Sequence, residues 1–228
     1  MSNLRIVSNN IGKTATLTAS SEAGSLVVEN LMLDSKTEIW RSTSTTATVT
    51  ATFTQTATSC VTFPICNLTS TATMRVRVYT NSGDGSPALD TGNTLCCEYT
   101  TIDKIDFGDG ALNANMFSYG GGTYATLFFA STLGEKVVID IIDSSNTNGY
   151  IESAYIVIGD YWSPVINANY GATLSFLDNS KHSRNDSGDL MTKRGARYKS
   201  LSFNLGNMRT DDRTALTELF IYNGKIYR

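Results

Sequence analysis

The chain has 228 residues, of which 41% are apolar and 17% charged, with a net charge of −3. That length admits one large or two small domains, and the apolar share is enough for a core without metal or disulfide staples. No run of eighteen apolar residues occurs, and the opening MSNLRIVSNNIG has no apolar stretch of signal type, so neither a membrane span nor a secretory leader is expected.

In chain order, residues 4–9 and 14–19 are expected as short strands, then a loop around Glu22-Ala23-Gly24, then a further short strand over 26–28. A turn-rich lead ends in Trp40-Arg41-Ser42. Beyond it Ala47, Val49, Ala51 and Phe53 alternate with Thr48, Thr50 and Thr52, the period of a strand with one buried face. An uncharged run from Cys60 to Cys66 predicts a buried strand, ended by Asn67-Leu68-Thr69. Met74, Val76 and Val78 then alternate with Arg75, Arg77 and Tyr79. Three such strands in succession point to a β-sandwich.

Residues 81–92, NSGDGSPALDTG, read as a surface loop, and residues 107–122, with Gly120-Gly121-Gly122, as a second irregular region. Strands are expected over 124–129, 137–142 and 150–158. The second is nearly all apolar except for Asp140, which must either pair or meet water. After Pro164, residues 172–176 and 200–205 alternate as strands around a polar loop, 178–189. Thr210 is expected to cap a helix with Asp211 and Asp212 in its first turn, Leu216, Leu219 and Phe220 on one face, and Gly224 at its end.

The order of an Asn-Leu pair, Trp40-Arg41-Ser42, a Thr-rich strand, the Asn67-Leu68-Thr69 turn and Arg75-Val76-Arg77 resembles the galactose-binding-like (discoidin-type) jelly rolls found in tail proteins of tailed bacteriophages. The likeness resumes at Gly149-Tyr150-Ile151-Glu152 and runs through Ile158 to Pro164, so that it covers both ends of residues 1–165. The later segments around Tyr170-Gly171, Asp178-Asn179-Ser180 and the helix beginning TDDR resemble the segment after the jelly roll in the same phage proteins. The resemblance implies a mainly β fold: a galactose-binding-like jelly-roll β-sandwich over 1–165, then a small β-rich module with one C-terminal helix over 166–228. It implies a non-enzymatic structural component of a virion tail, at the tail tip, baseplate or distal-tail ring and assembled in the host cytoplasm. The partners would be other tail proteins and further copies in a three-fold or six-fold ring.

The alternative is a carbohydrate-binding or receptor-binding module that contacts a host surface glycan. Trp40 could stack on a pyranose while Arg41 and Asn67 donate to its hydroxyls, although a packed anchor is the favoured role for Trp40. Charge is unevenly placed. Residues 1–165 hold eight Lys/Arg and fifteen Asp/Glu, against ten and six in 166–228, a split of −7 and +4. Lys193, Arg194, Arg197 and Lys199, with Lys181 and Arg184, lack interleaved aromatics apart from Tyr198, so a solvated face or a contact with an acidic neighbouring subunit is expected in preference to nucleic acid.

Catalytic chemistry is not expected. His182 is the only histidine and lies in a polar stretch; no nucleophile elbow, Walker loop or HExxH occurs. Asp103, Asp106 and Asp109 read as a solvated acidic loop in preference to a calcium site or a carboxylate pair. Cys60 and Cys66 are too far apart for a zinc knuckle and read as small buried hydrophobes. A bridge between the adjacent Cys96 and Cys97 would be strained, so reduced thiols, no metal and no cofactor are expected.

Overall fold

A computed structural model describes residues 3–97 and 123–222 of the chain. The protein is mainly β, and the chain divides into two compact units: residues 7–161, and residues 1–6 together with 162–228. β1 (Ile6–Val7) pairs with β11 (Tyr161–Trp162).

Residues 7–161 build a sheet around two long strands. β2 is Thr16–Ala19, β3 Trp40–Arg41, β4 Thr46–Cys66, β5 Thr73–Tyr79, β6 Leu89–Asp90, β7 Thr94–Leu95, β8 Thr123–Ile142, β9 Glu152–Ser153 and β10 Val157–Gly159. The strand order is β3-β9-β4-β8-β5-β6, with β2 and β10 also pairing with β4, and β7 with β5. The alternation does what its period requires: Ala47, Val49 and Ala51 are buried while Thr46, Thr48, Thr50 and Thr52 stay at least partly exposed. Antiparallel register sets Val49 opposite Ile139 and Ile139 opposite Val76, so one face of three strands converges on a core with Leu17, Leu31, Trp40 and Phe63.

Several sequence expectations change here. The strands expected over 47–53 and 60–66 are one strand, β4, because Thr54-Gln55-Thr56-Ala57 contains no breaker. The ladder absorbs the mismatch in register shifts between Thr52 and Thr56, Thr58 and Cys60, and Phe63 and Cys66. The strands expected over 124–129 and 137–142 likewise join as β8. Gly134 lies within β8, where an added Cβ would stand 2.6 Å from Val78 Cγ1 and 2.7 Å from Tyr79 O, so the backbones can approach only without a side chain. The strand expected over 26–28 is replaced by a 3₁₀ turn, Val28–Met32, which drops Leu31 into the core. Residues 150–158 split into β9 and β10. Within the loop over 81–92, β6 forms and pairs with β5.

Asp140 pairs on the outer face: Thr48 Oγ1 donates to its Oδ1 at 2.9 Å and Arg77 Nη2 to its Oδ2 at 2.6 Å. Cys60, Cys66, Cys96 and Cys97 are all buried.

The described residues of the second unit form two separate two-stranded ribbons, β12 (Thr173–Asp178) with β15 (Arg197–Ser202) and β13 (Lys181–Arg184) with β14 (Leu190–Lys193), and one helix, α1 (Thr210–Tyr222). The polar loop expected over 178–189 therefore supplies most of a hairpin, turned at Asn185, where Gly188 N donates to Asn185 O and Asp189 N to Asn185 Oδ1. Thr210 is the first helical residue rather than the cap, since Arg213 N donates to Arg209 O. Asp212 takes up a loop amide, accepting from Val165 N at 3.2 Å. The expected stop at Gly224 lies outside the described residues.

Candidate functional site

Trp40 and Arg41 form β3 and, being adjacent on a strand, point to opposite sides of it. Trp40 is 0% exposed and its Nε1 donates to Ser21 O at 3.2 Å. An indole with no exposed face cannot serve as a sugar platform in this conformation. It is a packed anchor, and the stacking role considered for it is corrected accordingly.

Arg41 faces outward. Its β9 partner in the register is Glu152, and Arg41 Nε and Nη2 both donate to Glu152 Oε2, at 3.0 and 2.7 Å. Arg41 Nη1 and Glu152 Oε1 take no part in this pair. The guanidinium also lies over the ring of Tyr150, 4.3 Å from its centroid, the geometry of a cation–π contact. Arg41, Tyr150 and Glu152 are each half-buried, so one edge of the sheet offers a cation, a carboxylate and an aromatic ring within one small area.

Asn67 holds that edge in place from below. Its Nδ2 donates to Tyr150 O at 2.9 Å and its Oδ1 accepts from Glu152 N at 2.8 Å, so both polar ends are bonded to the backbone on either side of Ile151. The buried Asn146 adds Nδ2 bonds to Asn67 O and Tyr150 O, each 3.2 Å. Ser42 bonds across the same place, accepting from Ile151 N at 2.9 Å. Thr69, the last residue of the Asn67-Leu68-Thr69 turn, donates through N and Oγ1 to the buried carboxylate of Asp143 at 2.8 and 2.6 Å.

The fold thus sets Asn67 beneath the edge that carries Arg41, where one amide hydrogen and the amide oxygen of Asn67 hold the backbone on either side of Ile151. Tyr150 and Glu152, more than a hundred residues beyond Arg41 in sequence, complete the cluster. From the sequence, Gly149-Tyr150-Ile151-Glu152 reads only as a closing strand. The signal it carries is an acidic and an aromatic residue in a short edge segment that has to pair with Trp40-Arg41.

The remaining candidates lie elsewhere. His182 is exposed on β13, with Nδ1 3.0 Å from Thr192 Oγ1. Lys193 ends β14 directly opposite Lys181. Arg194 is exposed in the segment after it, and Arg197 and Lys199 belong to β15, opposite Asp178 and Phe176. Asp103, Asp106 and Asp109 lie outside the described residues. Among the described residues, no three His, Cys, Asp or Glu side chains gather as a metal site, and no helix is long and apolar enough to cross a membrane.

No protein-family model matches the chain, and no curated protein matches it. Among solved structures it is similar to a Clostridium perfringens module, CBM32-5, in complex with GalNAc-β-1,3-galactose, at 12% identity over 67% of this chain and 100% of that one, TM-score 0.44. It is similar to the family 32 CBM from C. perfringens NanJ in complex with galactose, at 12% identity over 70% and 100%, TM-score 0.45. A third is chitosan-binding module 1 from a chitosanase/glucanase of Paenibacillus sp. IK-5, at 14% identity over 67% and 99%, TM-score 0.43. Likeness at this level concerns the arrangement of strands and carries no ligand or role across to this chain.

Proposed function

We propose that this protein is a non-enzymatic carbohydrate-binding protein that takes its sugar at the Arg41–Tyr150–Glu152 edge. The observation that carries this reading is the half-buried cluster itself. Arg41 and Glu152 form a pair whose Nη1 and Oε1 lie outside their mutual bonds, and an aromatic ring stands beside them. Vicinal sugar hydroxyls need a donor and an acceptor side by side, and the C–H face of a pyranose needs an apolar ring surface. Asn67, Asn146 and Ser42 fix the backbone under the cluster, so little ordering is required on binding.

The test is titration of galactose, N-acetylgalactosamine and chitosan oligosaccharides, followed by isothermal calorimetry. At least one should bind, and Tyr150→Leu should weaken that binding about tenfold or more, roughly the contribution of a stacked ring. Absence of binding by every sugar up to about 10 mM, or binding indifferent to Tyr150→Leu, overturns the reading.

A second reading is that of a structural component of a virion tail. It is favoured by the second unit, whose ribbons leave large apolar side chains such as Leu190 and Leu201 exposed, as a subunit awaiting neighbours would. Detection of the tagged protein on the tail of purified particles tests it; its absence from them would count against it.

A further inference from the structure

We infer that the ribbons of the second unit are a self-association surface, occupied by the acidic 22–38 segment of a second copy of this chain. This goes beyond the sugar site and does not depend on it. The first observation is apolar. Apart from Pro164, none of the described apolar side chains of residues 162–222 is buried. Leu174 lies opposite Leu201 on one face of the β12–β15 ribbon and Leu177 opposite Tyr198 on the other, and all four are exposed, as are Leu190 and Met191 on β14. Two-stranded ribbons are marginal by themselves in water and gain stability when a third element covers them.

The second observation identifies the covering element as acidic. Lys181 and Lys193 stand directly opposite each other in the β13–β14 register, a like-charge pair that costs stability unless an anion lies across it. Arg194 follows the pair directly, while Arg184 stands at the other end of the hairpin, opposite Leu190. The second unit as a whole carries eleven Lys/Arg against six Asp/Glu, whereas residues 7–161 carry seven against fifteen. Within that acidic unit, Glu22, Glu29, Asp34 and Glu38 are all exposed over one short stretch whose single cation is Lys36, with Asp34 also 3.6 Å from Lys13 Nζ, and the exposed Leu33 stands among them. An apolar residue among carboxylates matches exposed apolar strand residues beside the Lys181–Lys193 pair and Arg194. Because the two surfaces differ, the contact is head to tail and repeats from copy to copy.

The experiment is sedimentation of the full chain without sugar, over about 1–100 μM and at low and roughly 0.5 M salt. The expected result is a mass above that of one chain at low salt that falls as salt rises. Lys193→Glu with Arg194→Glu, both exposed changes, should weaken association at least about tenfold with an unchanged circular-dichroism melt. Adding Glu29→Lys with Glu38→Lys to that variant should restore it. A single-chain mass at every concentration overturns the inference, as does association that persists after charge reversal or is not rescued by the swap. Sugar titration of the same samples is read separately, so the failure of one proposal does not imply failure of the other.

Discussion

Replacing Trp40 with alanine separates an anchor from a binding platform. The indole is fully buried among the core residues of the first unit, and its N–H satisfies Ser21 O. Trp-to-Ala truncation in a packed core costs about 3–5 kcal/mol through lost transfer energy and the cavity left behind. For a unit of this size each kcal/mol moves the melting midpoint by about 2–4 °C, which gives a fall of about 6–20 °C. Trp40→Phe keeps most of the apolar volume but removes the donor, for a loss of about 1–2 kcal/mol and a fall of about 2–8 °C. Calorimetric melting of both variants and the wild type is the assay, with sugar titration on whichever variants stay folded. The anchor account predicts a graded loss of stability, with Trp40→Phe still competent to bind. A Trp40→Ala shift below about 2 °C refutes it, because no well-packed indole can be removed so cheaply.

Asn10→Ala should destabilise the first unit by about 2–3 kcal/mol, seen as a lower urea midpoint with an unchanged slope. The side chain donates to Ile156 O at 2.8 Å and accepts from Gly12 N and Ile158 N at 3.0 Å each, joining the chain's beginning to β10, and alanine leaves those backbone groups without it. Arg75 holds the Asp90 carboxyl well below the usual carboxylate range, chiefly through its hydrogen bonds and with help from Gly92 N–H. The folded value is depressed, so this pair's stabilisation is complete above the unfolded value of about 3.9 and fades as pH falls below it. Urea midpoints measured from about pH 6 to pH 2 should show Arg75→Met flattening that acid-side loss, and an unaltered pH profile would contradict the assignment.

Alternation alone determined much of the first unit. A side chain every second residue on the same face leaves Ala47, Val49 and Ala51 no stable place but a core, and Met74, Val76 and Val78 follow the same rule. The helix beginning at Thr210 was legible because acidic residues favour the first turn and apolar ones recur at helical spacing. The joining of strands into β4 and β8 was not legible: register shifts are set by which partner strand arrives, and a sequence window does not contain its partner. The candidate site divides in the same way. Arg41 and Asn67 could be named from the sequence, but which of them meets solvent could not. β3 has one inward and one outward face, and only the pairing with β9 decided that Trp40 goes in and Arg41 goes out, where Glu152 and Tyr150 meet it. The Lys181–Lys193 opposition is likewise a matter of register. Twelve residues apart the two lysines read as scattered surface charge, and only the hairpin sets one against the other.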